Sequence, residues 1–74
     1  MEEYGYTKIK LKEILDKKNI TRTALARITG LRYEIIAQYY NEDVKRVDLI
    51  TISKLCHVLH CKISDILEYV PEEK

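Results

Sequence analysis

Residues 21–41 read TRTALARITGLRYEIIAQYYN. Thr21 can cap a helix, because its hydroxyl can accept a backbone N–H two or three residues on, and a helix is predicted from Arg22 to about Thr29. Leu25 and Ile28 are its apolar pair, while Ala24 and Ala26 keep it slim. Gly30 then falls at the C′ position, where a side chain would be strained at positive φ. Leu31 returns to the core. A second helix is expected from Arg32 or Tyr33 to Tyr40 with Ile36 and Tyr39 inward. Two short helices joined so tightly must cross steeply, and the residues left over point outward from the second.

Toward the N-terminus, Leu11, Ile14 and Leu15 lie at i, i+3 and i+4, one face of a helix over Lys10–Lys18. Asn19 follows where the chain must turn away, and Asn tolerates the left-handed conformation of such an exit. Residues 1–9, MEEYGYTKI, have no helical period. Their alternation predicts an extended arm, either frayed or forming a short strand that pairs with that of a second copy.

Toward the C-terminus, Glu42–Val47 is a charged loop and Asp48 caps a further helix. Leu49, Ile52, Leu55, Cys56 and Leu59 repeat there at helical spacing, the strongest amphipathic signal in the chain. Cys61 and Ile63 are expected to return apolar surface to the core, and Ile66, Leu67 and Val70 place a last short helix at about Ile63–Tyr69, stopped by Pro71. The result is an all-α fold of five helices: an arm over 1–9, one domain over 10–70 and a tail over 71–74.

A chain of 74 residues with 46% apolar content, no Phe, no Trp, two Gly and one Pro favours one small domain of compact helices. The net charge of +1 argues weakly against a polyanion partner until the charges are placed. Residues 8–62 hold twelve Lys or Arg against six Asp or Glu, a net +6, and the remaining ends carry −5. The body is basic. Two cysteines without a framework, no signal peptide and no apolar run of membrane length predict a reduced, cytoplasmic protein.

A helix-turn-helix needs a small residue where the second helix crosses the first, a residue suited to the turn, and a branched apolar residue pinning the second helix from beneath. Ala26, Gly30 and Ile36 supply the three. With the segments that follow (Tyr40-Asn41, Val47-Asp48-Leu49, Lys54-Leu55-Cys56, Cys61 and Asp65 to Pro71), the sequence resembles the Cro/cI-type, lambda repressor-like domains of the Xre family over about residues 9–70. It is most similar to a subgroup of small stand-alone bacterial and phage regulators.

The resemblance implies a double-stranded DNA operator as partner and a homodimer, with the third helix of the chain, about Arg32–Tyr40, in the major groove. It puts Arg32, Tyr33, Glu34, Ala37 and Gln38 at base-contacting positions, and Thr21, Arg22, Thr23, Tyr40, Asn41, Lys45 and Arg46 at phosphate-contacting ones. The chemistry fits: Gln38 can pair with adenine, Arg32 with guanine or phosphate, and Glu34 can accept from cytosine N4. Tyr33 offers a ring to a thymine methyl. Arg22 stands where the family usually has Gln; Arg32 and Lys62 where a Ser cap is common; Glu42 and His60 where Gly is usual. Ile35 points partly outward, either to a thymine methyl or back onto the Arg22–Thr29 helix.

Cys56, His57, His60 and Cys61 are metal-ligand types within six residues, but on a helix Cys56 and His57 diverge by about 100°. Core cysteines and solvent histidines are the expectation. Lys8, Lys10, Lys12, Lys17 and Lys18 read mostly as a solvated face. No catalytic or metal constellation emerges, so neither an enzyme, a cofactor nor a small-molecule substrate is expected. Tyr4, Tyr6 and Tyr69, at the two ends, read as a surface for a second copy. Two functions stand: a transcriptional regulator, a repressor by the family pattern, and a protein-interaction module such as an antitoxin or accessory regulator.

Overall fold

The computed structural model describes residues 4–72. Strand β1 (Tyr6–Ile9) leads into α1 (Leu11–Lys18), α2 (Arg22–Thr29), α3 (Tyr33–Tyr40), α4 (Leu49–Leu59), the single turn α5 (Ile63–Ile66) and strand β2 (Leu67–Val70). Five helices enclose one core of Ile9, Leu11, Leu15, Leu25, Ile36, Tyr39, Ile52, Leu55, Leu59 and Ile66. Every element except β2 contributes a buried side chain to it. In so short a chain no helix face is spare.

Helix ends follow local chemistry. Asn19, Gly30 and His60 close α1, α2 and α4 in the left-handed region, at φ 62°, 75° and 53°, and Glu42 takes φ 59° just after α3. Thr21 Oγ1 accepts the Ala24 N–H at 3.0 Å, and Asp48 Oδ2 accepts that of Thr51 at 2.9 Å. Each cap satisfies a donor that the first turn leaves unpaired. Arg32 and Lys62 supply no side-chain cap, but the Asp65 carboxylate accepts the Lys62 N–H at 2.9 Å.

The expected helix over Ile63–Tyr69 stops at Ile66, and residues 67–70 form a strand antiparallel to β1, with Ile9 opposite Leu67 and Tyr6 opposite Val70. Leu67 and Val70 are half-buried in both readings, so apolar spacing does not separate them. The partner decides. The Lys10 N–H takes the Ile66 carbonyl at 2.6 Å, and the N-terminal arm offers a ladder where a second helical turn would find none. β1 therefore pairs with its own chain. Gly5 guards this junction: at φ 79° it lies against the end of β2, and a Cβ there would overlap the Val70 carbonyl oxygen.

Three inward assignments also change, among them Ile63, which opens the single turn α5 at 57% exposure because Ile66 takes the inward place there. Ile28 is 63% exposed, and Thr29, one turn beyond Leu25, is buried in its place. The Thr29 hydroxyl donates to the Leu25 carbonyl at 2.8 Å and accepts the Leu31 N–H at 3.2 Å, so its burial leaves nothing unpaired. Leu49, at 76% exposure, stands on the first turn of α4, beyond the core that Ile52 begins.

Candidate nucleic-acid interface

The α2–turn–α3 unit is built by three contacts around the turn. Gly30 donates its N–H to the Ala26 carbonyl at 2.9 Å, Thr29 ties Leu25 to Leu31, and Ile36 is fully buried beneath α3. Around Gly30 itself the space is open, with nothing within 4 Å of an added Cβ, so the position demands glycine for its backbone angle alone. Tyr39 anchors the other end of α3: its ring is buried and its hydroxyl accepts the Asp48 N–H at 3.4 Å. That bond joins the helix to the cap of α4, so α3 is held at both ends.

With Ile36 and Tyr39 inward, about 100° of rotation per residue leaves two outward stripes on α3. Glu34 and Gln38 form one, exposed, and it runs on to Asn41. Tyr33, Ala37 and Tyr40 form the other, and Ala37 and Tyr40 are half-buried. Arg32, at the cap, is exposed beside the first turn. Ile35 is half-buried against the core, which places it on the folded-back side of its two expected positions.

Of the residues expected at the phosphates, Thr21, Thr23, Asn41, Lys45 and Arg46 are exposed. Arg22 and Tyr40 are not free in the same way. The Arg22 guanidinium carbon lies 4.5 Å from the Tyr40 ring centroid and 5.9 Å from that of Tyr33. Lys12 approaches the same Tyr40 ring at 5.9 Å and pairs with Asp16 at 3.1 Å, and this carboxylate holds the lysine above its ordinary pKa. The sequence alone places Lys12 on a solvated face. Its i, i+4 spacing to Asp16 was visible in the sequence; its approach to an α3 ring was not. Lys8 and Lys10 are also paired, with Glu13 at 3.9 Å and Glu68 at 3.7 Å.

Away from this face, Cys56 and Cys61 are free thiols packed against the core. They meet because the Cys61 N–H returns to the Cys56 carbonyl at 3.1 Å around the left-handed His60, and burial beside Cys56 pushes the Cys61 thiol above its ordinary pKa. Among the described residues, no three ligand-type side chains converge on a metal position, and no helix is long and apolar enough to cross a membrane.

The fold is shared with solved structures of distant sequence. A Bacteroides fragilis protein described as DNA-binding superimposes with a TM-score of 0.74 at 17% identity, over 85% of this chain and 100% of that one. The transcriptional regulator VanUg gives 0.71 at 21% identity, over 97% of each chain. No curated protein matches in sequence. The family pattern of the Cro/C1-type HTH DNA-binding domain matches residues 10–72, and the chain belongs to that family.

Proposed function

We propose that the chain is a sequence-specific DNA-binding transcriptional regulator, acting as a repressor by occupying its operator. The observation that carries this reading is the outward side of α3: Arg32, Glu34 and Gln38 are exposed on a helix clamped at both ends, so their positions are set without their being used by the fold. These three would read base edges, with Ala37 at the floor of the contact. Thr21, Arg22, Thr23, Tyr40, Asn41, Lys45 and Arg46 would hold the phosphates on either side.

In this reading the chain works as a homodimer in the cytoplasm, with two recognition helices about 34 Å apart on a roughly palindromic site. The exposed rings of Tyr4, Tyr6 and Tyr69 are the surface we favour for the second copy. All three lie at the two-stranded sheet: the Tyr69 hydroxyl donates to the Tyr4 carbonyl, while Tyr6, opposite Val70 where Tyr69 is opposite Thr7, stands on the other face. Selection of bound sequences from a random DNA library at two salt concentrations tests the proposal. A palindromic consensus, bound far more weakly at the higher salt, supports it; recovery of unenriched sequence refutes it.

A specific observation favours a second reading, the protein-interaction module. Val47, Leu49 and Ile50 are exposed close together in sequence where α4 begins, an apolar group that offers phosphates no hydrogen bond and no charge. An antitoxin or accessory regulator would use it against another protein. Salt separates the two readings, since an apolar interface keeps its affinity where phosphate contacts lose theirs.

A further inference from the structure

Arg22 is packed unlike the other arginines of the chain. Arg27, Arg32 and Arg46 are exposed, whereas Arg22 is half-buried at the first position of α2, with two rings of α3 around it. Tyr33 and Tyr40 are seven residues apart, about 10 Å along the helix axis. A guanidinium 4.5 Å from one centroid and 5.9 Å from the other therefore lies in the span between them. Ala37 occupies that stretch of the same stripe, and a larger side chain there would fill the space.

Rings and carboxylates hold an arginine differently. A carboxylate takes up the N–H donors at the edge of the guanidinium, while an aromatic ring takes its flat faces and leaves those donors unused. Among the described residues, Arg22 has no carboxylate partner. The nearby Asp16 is taken by Lys12. Arg22 is thus held beside two rings and makes no side-chain hydrogen bond or ion pair to any described residue, a combination suited to a bidentate acceptor arriving from outside.

We infer that Tyr40, with Tyr33, is a positioning residue that aims the Arg22 guanidinium at one backbone phosphate of the DNA, and that Tyr33 serves this bracket rather than a thymine methyl. The inference rests on the proposed DNA-binding function and adds what that reading lacks, a reason for arginine where the family usually carries glutamine. It also explains why Ala37 must be small. An arginine swinging freely would lose conformational entropy on every contact; one already stacked loses little.

The bracket is tested first in the free chain. The Arg22 δ-methylene protons should be shifted upfield by ring currents, a shift kept in Tyr40→Phe and lost in Tyr40→Leu. Unshifted protons in the unaltered chain would overturn the inference without reference to DNA. Binding is then measured on the selected operator carrying a single neutral methylphosphonate at each phosphate in turn. For the unaltered chain one position should cost roughly tenfold in affinity.

Tyr40→Leu, with its melting checked to confirm that it folds, should lose a similar roughly tenfold on unmodified DNA and become indifferent to that one methylphosphonate. Tyr40→Phe, which keeps the ring and removes only the hydroxyl, should retain the selective sensitivity to that one methylphosphonate, and Arg22→Lys, which cannot stack and fork at once, should lose it as Tyr40→Leu does. Full affinity in Tyr40→Leu, or losses that simply multiply, would overturn the positioning role while leaving DNA binding intact. An unaltered chain that binds no DNA would take the proposed function down with it, even if the ring-current shift were found.

Discussion

The inward and outward sides of α3 are separated by one rotation of the same eight residues, and they meet opposite demands. Inward, Ile36 is fully buried and Tyr39 nearly so, with even its hydroxyl engaged by the Asp48 N–H. Outward, Glu34 and Gln38 make no hydrogen bond or ion pair through their side chains to any described residue. The first side does all the work of placing the helix, so the second can change without cost to the fold. Between them runs the Tyr33–Ala37–Tyr40 stripe, which packs on Arg22 and belongs partly to each.

Substitutions on the two sides should therefore fail in different assays. Ile36→Ala should have the largest effect, about 2–5 kcal/mol of stability read by denaturant unfolding, because it leaves a cavity under the recognition helix. A small loss would mean that the inward side is not what holds α3. Gln38→Ala should leave unfolding unchanged but remove about 1–3 kcal/mol of discrimination at one base pair, read by competition between operator variants. Unchanged selectivity would strike Gln38 from the reading side.

The turn sets how the two sides are offered. Gly30→Val should cost at least about 1–2 kcal/mol of stability through its positive φ alone, since the surrounding space is open. An unaltered melting temperature would show that the turn tolerates another conformation. The smallest effect is expected at the rim. Arg46→Ala should weaken binding to all sequences alike and reduce the salt slope by about one. A base-selective loss would move Arg46 from the rim into the groove.

Much of this arrangement was legible in the residues because its causes are local. Thr21, Asn19, Gly30 and Asp48 act on backbone within four positions of themselves, and each stands at the helix boundary that its chemistry requires. The misreadings share a different origin. Leu67–Val70 becomes a strand because residues about sixty positions away supply its ladder, and nothing within the segment says so. Ile28 yields its inward place to Thr29 because a hydroxyl can be buried once Leu25 and Leu31 satisfy it, which apolar counting ignores.

At the site the same division holds. The exposed stripe of Glu34 and Gln38 follows from helical period, whereas the seating of Arg22 between two rings depends on how α2 crosses α3. Composition gave only the ingredients, an arginine and two tyrosines seven residues apart. The crossing angle makes them a bracket. Gly5 is a comparable case at the other end of the molecule, where the close approach of β2, together with a φ of 79°, explains why a side chain is excluded.

The central claim is that the outward side of α3 meets base pairs. Amide and side-chain resonance mapping of the chain titrated with its selected duplex tests it most directly. The account predicts that Arg32, Glu34 and Gln38 move most, with Arg22, Lys45 and Arg46 at the margins and Leu49 and Ile50 unmoved by the DNA itself. Perturbations centred on Val47, Leu49 and Ile50, with Glu34 and Gln38 silent, would contradict it.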